Sequence, residues 1–262
     1  MLLQVNNADL RSDAPWSDIL WHDFWGQNIS ELLSHKSYRP LATASLRVNR
    51  ILANWFSSTD ARIGGVAGMG PALYYHLGNL LLHGAMCAVT VLLFQRSVFS
   101  GQLKPAVLAA MLYTVHPVHV EAVAALVGRA DLLAGLCTIV ALLLFANRKQ
   151  STAAFLTAII FSIAAAASKE TGVTVLGVMC AWEAVDWLER YLWPLKAAHS
   201  LPYKVITAWD RMYMTEGLTP MLRVAACVAS AAAIVFGHVR MHQGAPLRPW
   251  GILENDIAIM PR

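Results

Sequence analysis

Charge is what this 262-residue chain has least of. Asp and Glu number 16 and Lys and Arg 20, together 14% of the residues, where a soluble domain carries roughly 25%. Apolar side chains take the vacated share at 57%, which excludes a disordered chain, because disorder needs polarity. Glycine shows no period, so a collagen-like helix is excluded, and no unit of 20 to 50 residues repeats, so there is no solenoid. Cysteine is too sparse for a disulfide scaffold. Cys87, Cys137, Cys180 and Cys227 stand far apart in apolar stretches with no Cys-x-x-Cys spacing, and they read as packing thiols. The net charge is only +4, and no run of Lys and Arg is long enough to track a phosphate backbone. Nucleic acid is therefore not an expected partner. Much of this chain has lipid as its solvent.

Long uncharged stretches are what it does have. Ala72 to Gln95 contains no charged residue in 24 positions, about 36 Å of helix and enough to cross a bilayer. Further spans are expected at about 105–116, 132–146, 151–168, 171–188 and 223–239, between short breaks carrying Arg96, Lys104, Arg148, Lys149, Lys169 and Glu170. The second is short enough to tilt or dip. Lipid admits only segments that satisfy their own backbone, so the expected fold class is an all-α polytopic membrane protein with a bundle of about six segments over 72–239.

Residues 1–71 differ, because Asp9, Asp13, Asp18, Asp23 and Glu31 alternate there with Trp16, Trp21, Phe24 and Trp25. This predicts a loop against the membrane interface. Pro40 opens a helical pattern with Ala44, Val48, Ile51, Leu52 and Trp55 on one side and Arg47, Asn49, Arg50 and Asn54 on the other. That helix is expected to lie on the membrane surface. Eight basic residues in loops 96–104, 147–150 and 189–222, against Arg129 and Lys169 in the other two loops, put the first set in the cytosol. Residues 1–71 and a second region at 240–262 then fall on the lumenal side, where the sequon Asn28-Ile29-Ser30 is a glycosylation acceptor. Met1-Leu2-Leu3 is far short of a signal core, so a preceding transmembrane helix is expected. The alternative keeps the head cytosolic and inverts the loops.

Several motifs carry chemistry. His116-Pro117-Val118-His119-Val120-Glu121 offers metal-ligand types, but Pro117 breaks the helix between the imidazoles, so a lumenal turn is expected and no metal. His76 and His83 sit two turns apart, too far to share an ion, and read as interhelical hydrogen-bond partners. Gly128-Arg129-Ala130-Asp131 and Ser168-Lys169-Glu170-Thr171-Gly172 set opposite charges at one membrane face. They form either a pair of local helix anchors or a site for an anionic head group, with Arg129 and Lys169 on its phosphate. Ser34-His35-Lys36-Ser37-Tyr38-Arg39-Pro40 suits an anion at a helix start. Asp23, ringed by Trp21, Phe24 and Trp25, is either a general base or one acid in an interfacial aromatic seat.

The strings His22-Asp23-Phe24-Trp25-Gly26, Ser34-His35-Lys36-Ser37-Tyr38-Arg39-Pro40-Leu41, His116-Pro117-Val118-His119-Val120-Glu121-Ala122-Val123, Val127-Gly128-Arg129-Ala130-Asp131 and Lys169-Glu170-Thr171-Gly172-Val173 resemble the transmembrane and tetratricopeptide-repeat-containing (TMTC) family. The resemblance runs from about residue 5 to 185, and 240–262 faintly resembles the start of the family's lumenal region. It implies a GT-C-like helical bundle in the endoplasmic reticulum membrane. The implied activity is transfer of mannose from dolichyl phosphate mannose to Ser or Thr of lumenal proteins, cadherins among them, with no metal or other cofactor. The family's first helix, the acidic pair after it and its tetratricopeptide repeats have no counterpart here, so this chain is expected to be a fragment inactive by itself.

On that resemblance the catalytic base lies between Asp9 and Asp23, and Arg129, Lys169, Lys36 and Arg39 attend the donor phosphate. His35, His116, His119, Glu121, Asp131 and Glu170 support them. Two other classes compete: a transporter or lipid-binding bundle using the same intramembrane charges, against which the lack of pseudo-symmetric halves counts, and a non-catalytic membrane scaffold.

Overall fold

The computed structural model of the chain describes residues 7–31, 34–63, 71–147, 151–197 and 218–242. Two short 3-10 turns, Ala8–Leu10 and Trp16–Leu20, lead into helix α1, Pro40–Ile63. Then follow α2 (Pro71–Leu93, prolonged by a π turn to Val98), α3 (Leu103–Thr114), α4 (His119–Ala124), α5 (Arg129–Ala146), α6 (Thr152–Ser168), a 3-10 turn at Glu170–Val173, α7 (Thr174–Ala197) and α8 (Leu218–His242). Among the described residues no strand forms, and one antiparallel bridge joins His22 to Asn28.

This is an all-α polytopic membrane protein. Leu73–Val98, Arg129–Ala146 and Thr219–Met241 are each long and apolar enough to cross a bilayer. Leu103–Thr114 and Thr152–Ser168 are shorter apolar helices; at 1.5 Å per residue α3 reaches only about 18 Å, less than the hydrocarbon thickness of about 30 Å. The expected 240–262 region and the 189–222 loop lie mostly outside the described residues.

Local chemistry sets the ends. Proline stands at the first position of α1 and of α2, where a missing N–H costs nothing. Ser151 caps α6 through its side chain, which accepts from the Ala154 N–H at 3.2 Å. Gly172 is required by crowding: a Cβ there would lie 2.2 Å from the carbonyl carbon of Ala165. The 170–173 turn thus folds back tightly on the end of α6.

Two clusters form the core. Ala141, Phe145, Phe155, Ala158, Val175, Leu176, Met179 and Cys227 fill the body between α5, α6, α7 and α8. Leu10, Phe24, Ala42, Leu46, Tyr75, Leu126 and Ala130 join the first loop and α1 to the starts of α2 and α5. Ala130, Ala134 and Ala141 on α5 and Ala158, Ala165 and Ala166 on α6 are buried, the small-residue seam that lets membrane helices approach closely. Cys137 and Cys227 are buried as expected of packing thiols, whereas Cys87 and Cys180 are only half-buried.

Helix α1 turns its faces differently from a soluble amphipathic helix. Leu41, Val48, Ile51, Leu52 and Trp55 point outward, while Ala42, Leu46, Arg47 and Ala53 are buried. Arg47, expected on a solvated side, instead donates to the carbonyls of Ala14 and Pro15 and stacks over Trp16 at 4.1 Å. Of the polar side, Arg47 is taken up by the protein while Asn54 stays exposed, and most of the apolar side faces outward, where lipid can cover it.

Candidate functional site

The first loop and three helix junctions meet at one end of the bundle, here called the cap. Asn49 on α1 donates to the Tyr74 carbonyl on α2 at 3.0 Å. Arg39, just before α1, holds Glu170 in a bidentate pair with contacts of 2.9–3.1 Å. Lys169 pairs with Asp131, and the Tyr38 ring meets His238 of α8 edge-on at 5.8 Å. The charged groups therefore do not form the local pairs Arg129–Asp131 and Lys169–Glu170 that adjacency in sequence suggested. Each pair instead bridges separate elements.

Arg129 sits deepest. Its residue is 2% exposed, and its guanidinium donates to Asn79 Oδ1 at 2.7 Å, Asn49 Oδ1 at 2.7 Å and the Tyr75 carbonyl at 2.6 Å. Asn79 in turn donates to the carbonyls of Val123 and Ala125 at 3.1 and 3.0 Å. These three partners are neutral acceptors, so the cation ties α1, α2 and the α4–α5 turn together. This differs from an open phosphate contact: the guanidinium is walled in. Gly78 makes the approach possible, since a Cβ there would lie 2.3 Å from Asn49 Oδ1 and 2.6 Å from Arg129 Nη2.

Lys169 and Arg39 are more accessible, with side chains 25% and 18% exposed. Lys36 adopts a positive φ of 59° and points its ammonium at the carbonyls of Ile29, at 2.5 Å, and Glu31, at 2.8 Å. It ties the loop rather than lying free at the start of α1.

The two candidate bases have different surroundings. Asp23 is buried, but its carboxylate is surrounded by donors and not by apolar rings. Oδ1 accepts from the N–H groups of Trp25 and Gln27 at 2.9 and 3.0 Å, and Oδ2 from the Ser34 hydroxyl and the His35 N–H at 2.7 and 2.9 Å. Four bonds fill both oxygens, which makes Asp23 the staple of the 23–35 loop. Asp9 is also buried, yet among the described residues Oδ1 has one partner, His22 Nδ1 at 2.7 Å, and Oδ2 has none.

The remaining residues sit around this centre. His35 is exposed and leans on Trp25 with ring centroids 5.8 Å apart. His116 is exposed and accepts from the Val118 N–H at 3.2 Å. His119 packs against Tyr113 at 4.6 Å and His83 at 5.2 Å, so His83 faces an imidazole from another helix while His76 lies elsewhere. Glu121 and Asn28 are exposed, and Asn28 Oδ1 accepts from the Ser30 N–H at 2.9 Å. Among the described residues, no three or more His, Cys, Asp or Glu side chains group as they would around a metal ion.

Residues that the sequence pattern did not single out complete the picture. Asn49 and Asn79 hold Arg129, and His22 holds Asp9. Glu183 on α7 is 3% exposed and pairs with Arg223 on α8 at 3.0 Å. An Asn or Glu inside an apolar span was the available signal, since such a group needs a partner in the bundle.

The helical composition and the polar cap define a class, a multi-spanning membrane protein with an ionic site at one end. Comparison supplies the family. The chain is 38% identical to the protein O-mannosyl-transferase TMTC4 of Mus musculus over 195 residues, covering 66% of this chain and 24% of that protein. It is 37% identical to TMTC1 of Homo sapiens over 197 residues (68% and 20%) and 33% identical to TMTC3 of Homo sapiens over 197 residues (73% and 19%). The matched two thirds of the chain are TMTC-family sequence, and the chain spans about a quarter or less of the length of the curated relatives it matches. No family model and no solved structure matches it.

Proposed function

We propose that this chain carries the membrane-embedded part of a protein O-mannosyltransferase of the endoplasmic reticulum, its cap facing the lumen. Mannose passes from dolichyl phosphate mannose to Ser or Thr hydroxyls of secretory-pathway proteins such as cadherins. The observation that carries this reading is the gathering of Arg39–Glu170 and Lys169–Asp131 at one bundle end, in a chain whose relatives are named protein O-mannosyl-transferases.

The chemistry is an inverting displacement. The acceptor oxygen forms a bond to the anomeric carbon, the bond from that carbon to the phosphate oxygen breaks, and the electron pair leaves with dolichyl phosphate. Lys169 is the leading contact for that phosphate because its carboxylate partner is half exposed and can be exchanged for the donor. Arg39 and Lys36 extend the cationic rim. Arg129 adds its charge from behind the site while fixing the elements that form it. Asp131 and Glu170 hold the cations in the absence of donor, His35, His116, His119 and Glu121 line the surroundings, and Asn28 is an outward-facing glycosylation acceptor.

Lys169→Ala in the full-length protein tests this reading. Losing one charge-assisted phosphate contact costs about 1.5–3 kcal/mol, so transfer at limiting donor falls roughly 10- to 150-fold with normal expression. Unchanged turnover would return Lys169 to a helix anchor.

A further inference from the structure

Helices α7 and α8 meet along a seam that is polar at both ends and apolar between. At the cap end the Tyr38 ring stands against His238 at 5.8 Å, next to Arg39 and its partner Glu170, whose turn runs straight into α7. At the deep end Arg223 of α8 pairs with Glu183 of α7 at 3.0 Å, and the Glu183 side chain is 3% exposed. His238 and Arg223 are fifteen positions apart on α8, so about 22 Å of helix separates the two ends. Between them lies a groove of about 360 Å³, its walls including Leu176, Gly177 and Cys180 of α7 and Cys227, Ala231 and Val235 of α8. These walls are apolar, since buried thiols behave as small hydrophobes.

We infer that this groove seats the single isoprenoid chain of the phosphate-linked donor, and that Gly177 keeps its upper part open. The inference rests on the mannosyltransferase reading and deepens it by placing the donor's tail. An amphiphile lying along the seam has its phosphate at the level of Lys169 and Arg39 and its chain running down between the two helices.

Three observations commit the groove to that occupant. The first is that its small residues are not used for helix contact. Small residues in a membrane bundle let backbones approach closely, yet a Cβ at Gly177 would meet nothing within 4 Å among the described residues. The second is the order of polarity along the seam. Cations stand above the apolar stretch, as a phosphate lipid requires, and the Glu183–Arg223 pair closes its floor, because parting a buried ion pair leaves an uncompensated charge in a dry site. A long chain must therefore turn out into the bilayer at that depth. The third is access and width. Val228 and Val235 are 57% and 52% exposed, so the groove is open from the lipid side and a chain enters it sideways without crossing the bundle. One groove takes one chain, which selects a polyisoprenyl phosphate over a glycerophospholipid, whose phosphate carries two.

The test uses the full-length protein in membranes, with dolichyl phosphate mannose and a Ser/Thr acceptor peptide. Gly177→Leu fills the groove from the α7 wall, and the open space at that position leaves folding intact. The KM for donor is expected to rise about 10-fold, the effect of roughly two methylenes kept out of the groove, with kcat at saturating donor unchanged. Ala232→Leu, from the exposed α8 wall, should do the same. Binding is read directly with dolichyl phosphate carrying a photoreactive diazirine in its chain close to the phosphate. Wild type should be labelled within 174–182 and 224–236, more weakly in Gly177→Leu, with unlabelled dolichyl phosphate competing and phosphatidic acid not competing. If neither variant accumulates, the wild-type labelling decides. Unchanged KM in both variants overturns the tail site, and so does labelling that phosphatidic acid competes equally well. Active wild type labelled elsewhere removes the tail site and leaves the mannosyltransferase reading intact. Wild type that is labelled in the groove and transfers no mannose keeps the lipid site and removes that reading.

Discussion

Arg129 and Ala158 are both shut away from solvent, one in the cap and the other in the body of the bundle, and their surroundings have little in common. Around Arg129 every close partner is a directed acceptor: Asn79, Asn49 and the Tyr75 carbonyl. Ala158 belongs to an apolar cluster with Ala141, Phe145, Phe155 and Met179, where contact carries no direction. Lipid tails are as apolar as any core side chain, so burial gives membrane helices little reason to associate. The body is fitted by small residues, whereas the cap is fixed by bonds with direction. This leaves Lys169–Asp131 and Arg39–Glu170 as cap charges whose partners are half exposed and open to exchange.

The comparison breaks first at Arg129. Arg129→Met keeps a long side chain but leaves two asparagine oxygens and a carbonyl unpaired in a dry site, and an unsatisfied buried acceptor costs about 1–3 kcal/mol. A total loss on the order of 3 kcal/mol is expected, read as a lower thermal midpoint in detergent and a smaller folded fraction. Arg129→Lys should not restore it, because a point charge cannot serve three acceptors spread across a planar fork. A variant that folds normally and loses only donor use would move Arg129 from the scaffold to the phosphate site.

In the body the same logic runs in reverse, and adding is worse than removing. Ala158→Leu forces three carbons into the seam between α5 and α6, and overpacking of this kind costs about 1–3 kcal/mol. Thermal unfolding in detergent should show the loss, with Ala158→Gly the milder change. Ala158→Leu at wild-type stability would mean that the seam is looser than its buried alanines indicate.

The sequence exposed the body more readily than the cap. An uncharged run of 24 residues from Ala72 is a one-dimensional signal, and α2 appears there; the other apolar stretches likewise coincide with helices, with ends shifted by up to five residues except in α7, which runs nine residues past the expected 188. Charge partners are not one-dimensional. Arg129 and Asp131 are two residues apart in the chain, yet Asp131 pairs with Lys169 and Arg129 reaches Asn79 and Asn49, 50 and 80 residues away. Asp23 shows the same limit, since its aromatic neighbours were visible in the string while its donors are mostly backbone N–H groups that a residue list does not display. Arg47 marks a third failure, because amphipathic spacing gives the angle between faces but not which face meets the protein. Where lipid is the solvent, the apolar face turns outward.

The smallest effect sharpens the comparison from the side of titration. His119 opens α4 in the connection outside the apolar spans, and its pKa is lowered from the ordinary 6.5, chiefly by burial and then by the nearby His83 and His116. Its Nε2 is buried with no partner among the described residues, so a proton there would have none of them to bond. Between the lowered value and 6.5 the unfolded chain binds more protons than the folded one, so stability rises with pH across that window and is lost as pH falls through about 6.5. His119→Phe keeps a ring against Tyr113 and His83 and cannot titrate. Thermal midpoints measured from pH 8 to pH 5.5 should therefore fall more steeply for the wild type than for the variant, with the two curves converging on the acid side. Parallel curves would show that His119 carries its proton in the folded cap as easily as in water, and that the packing around it is wetter than the ring contacts imply.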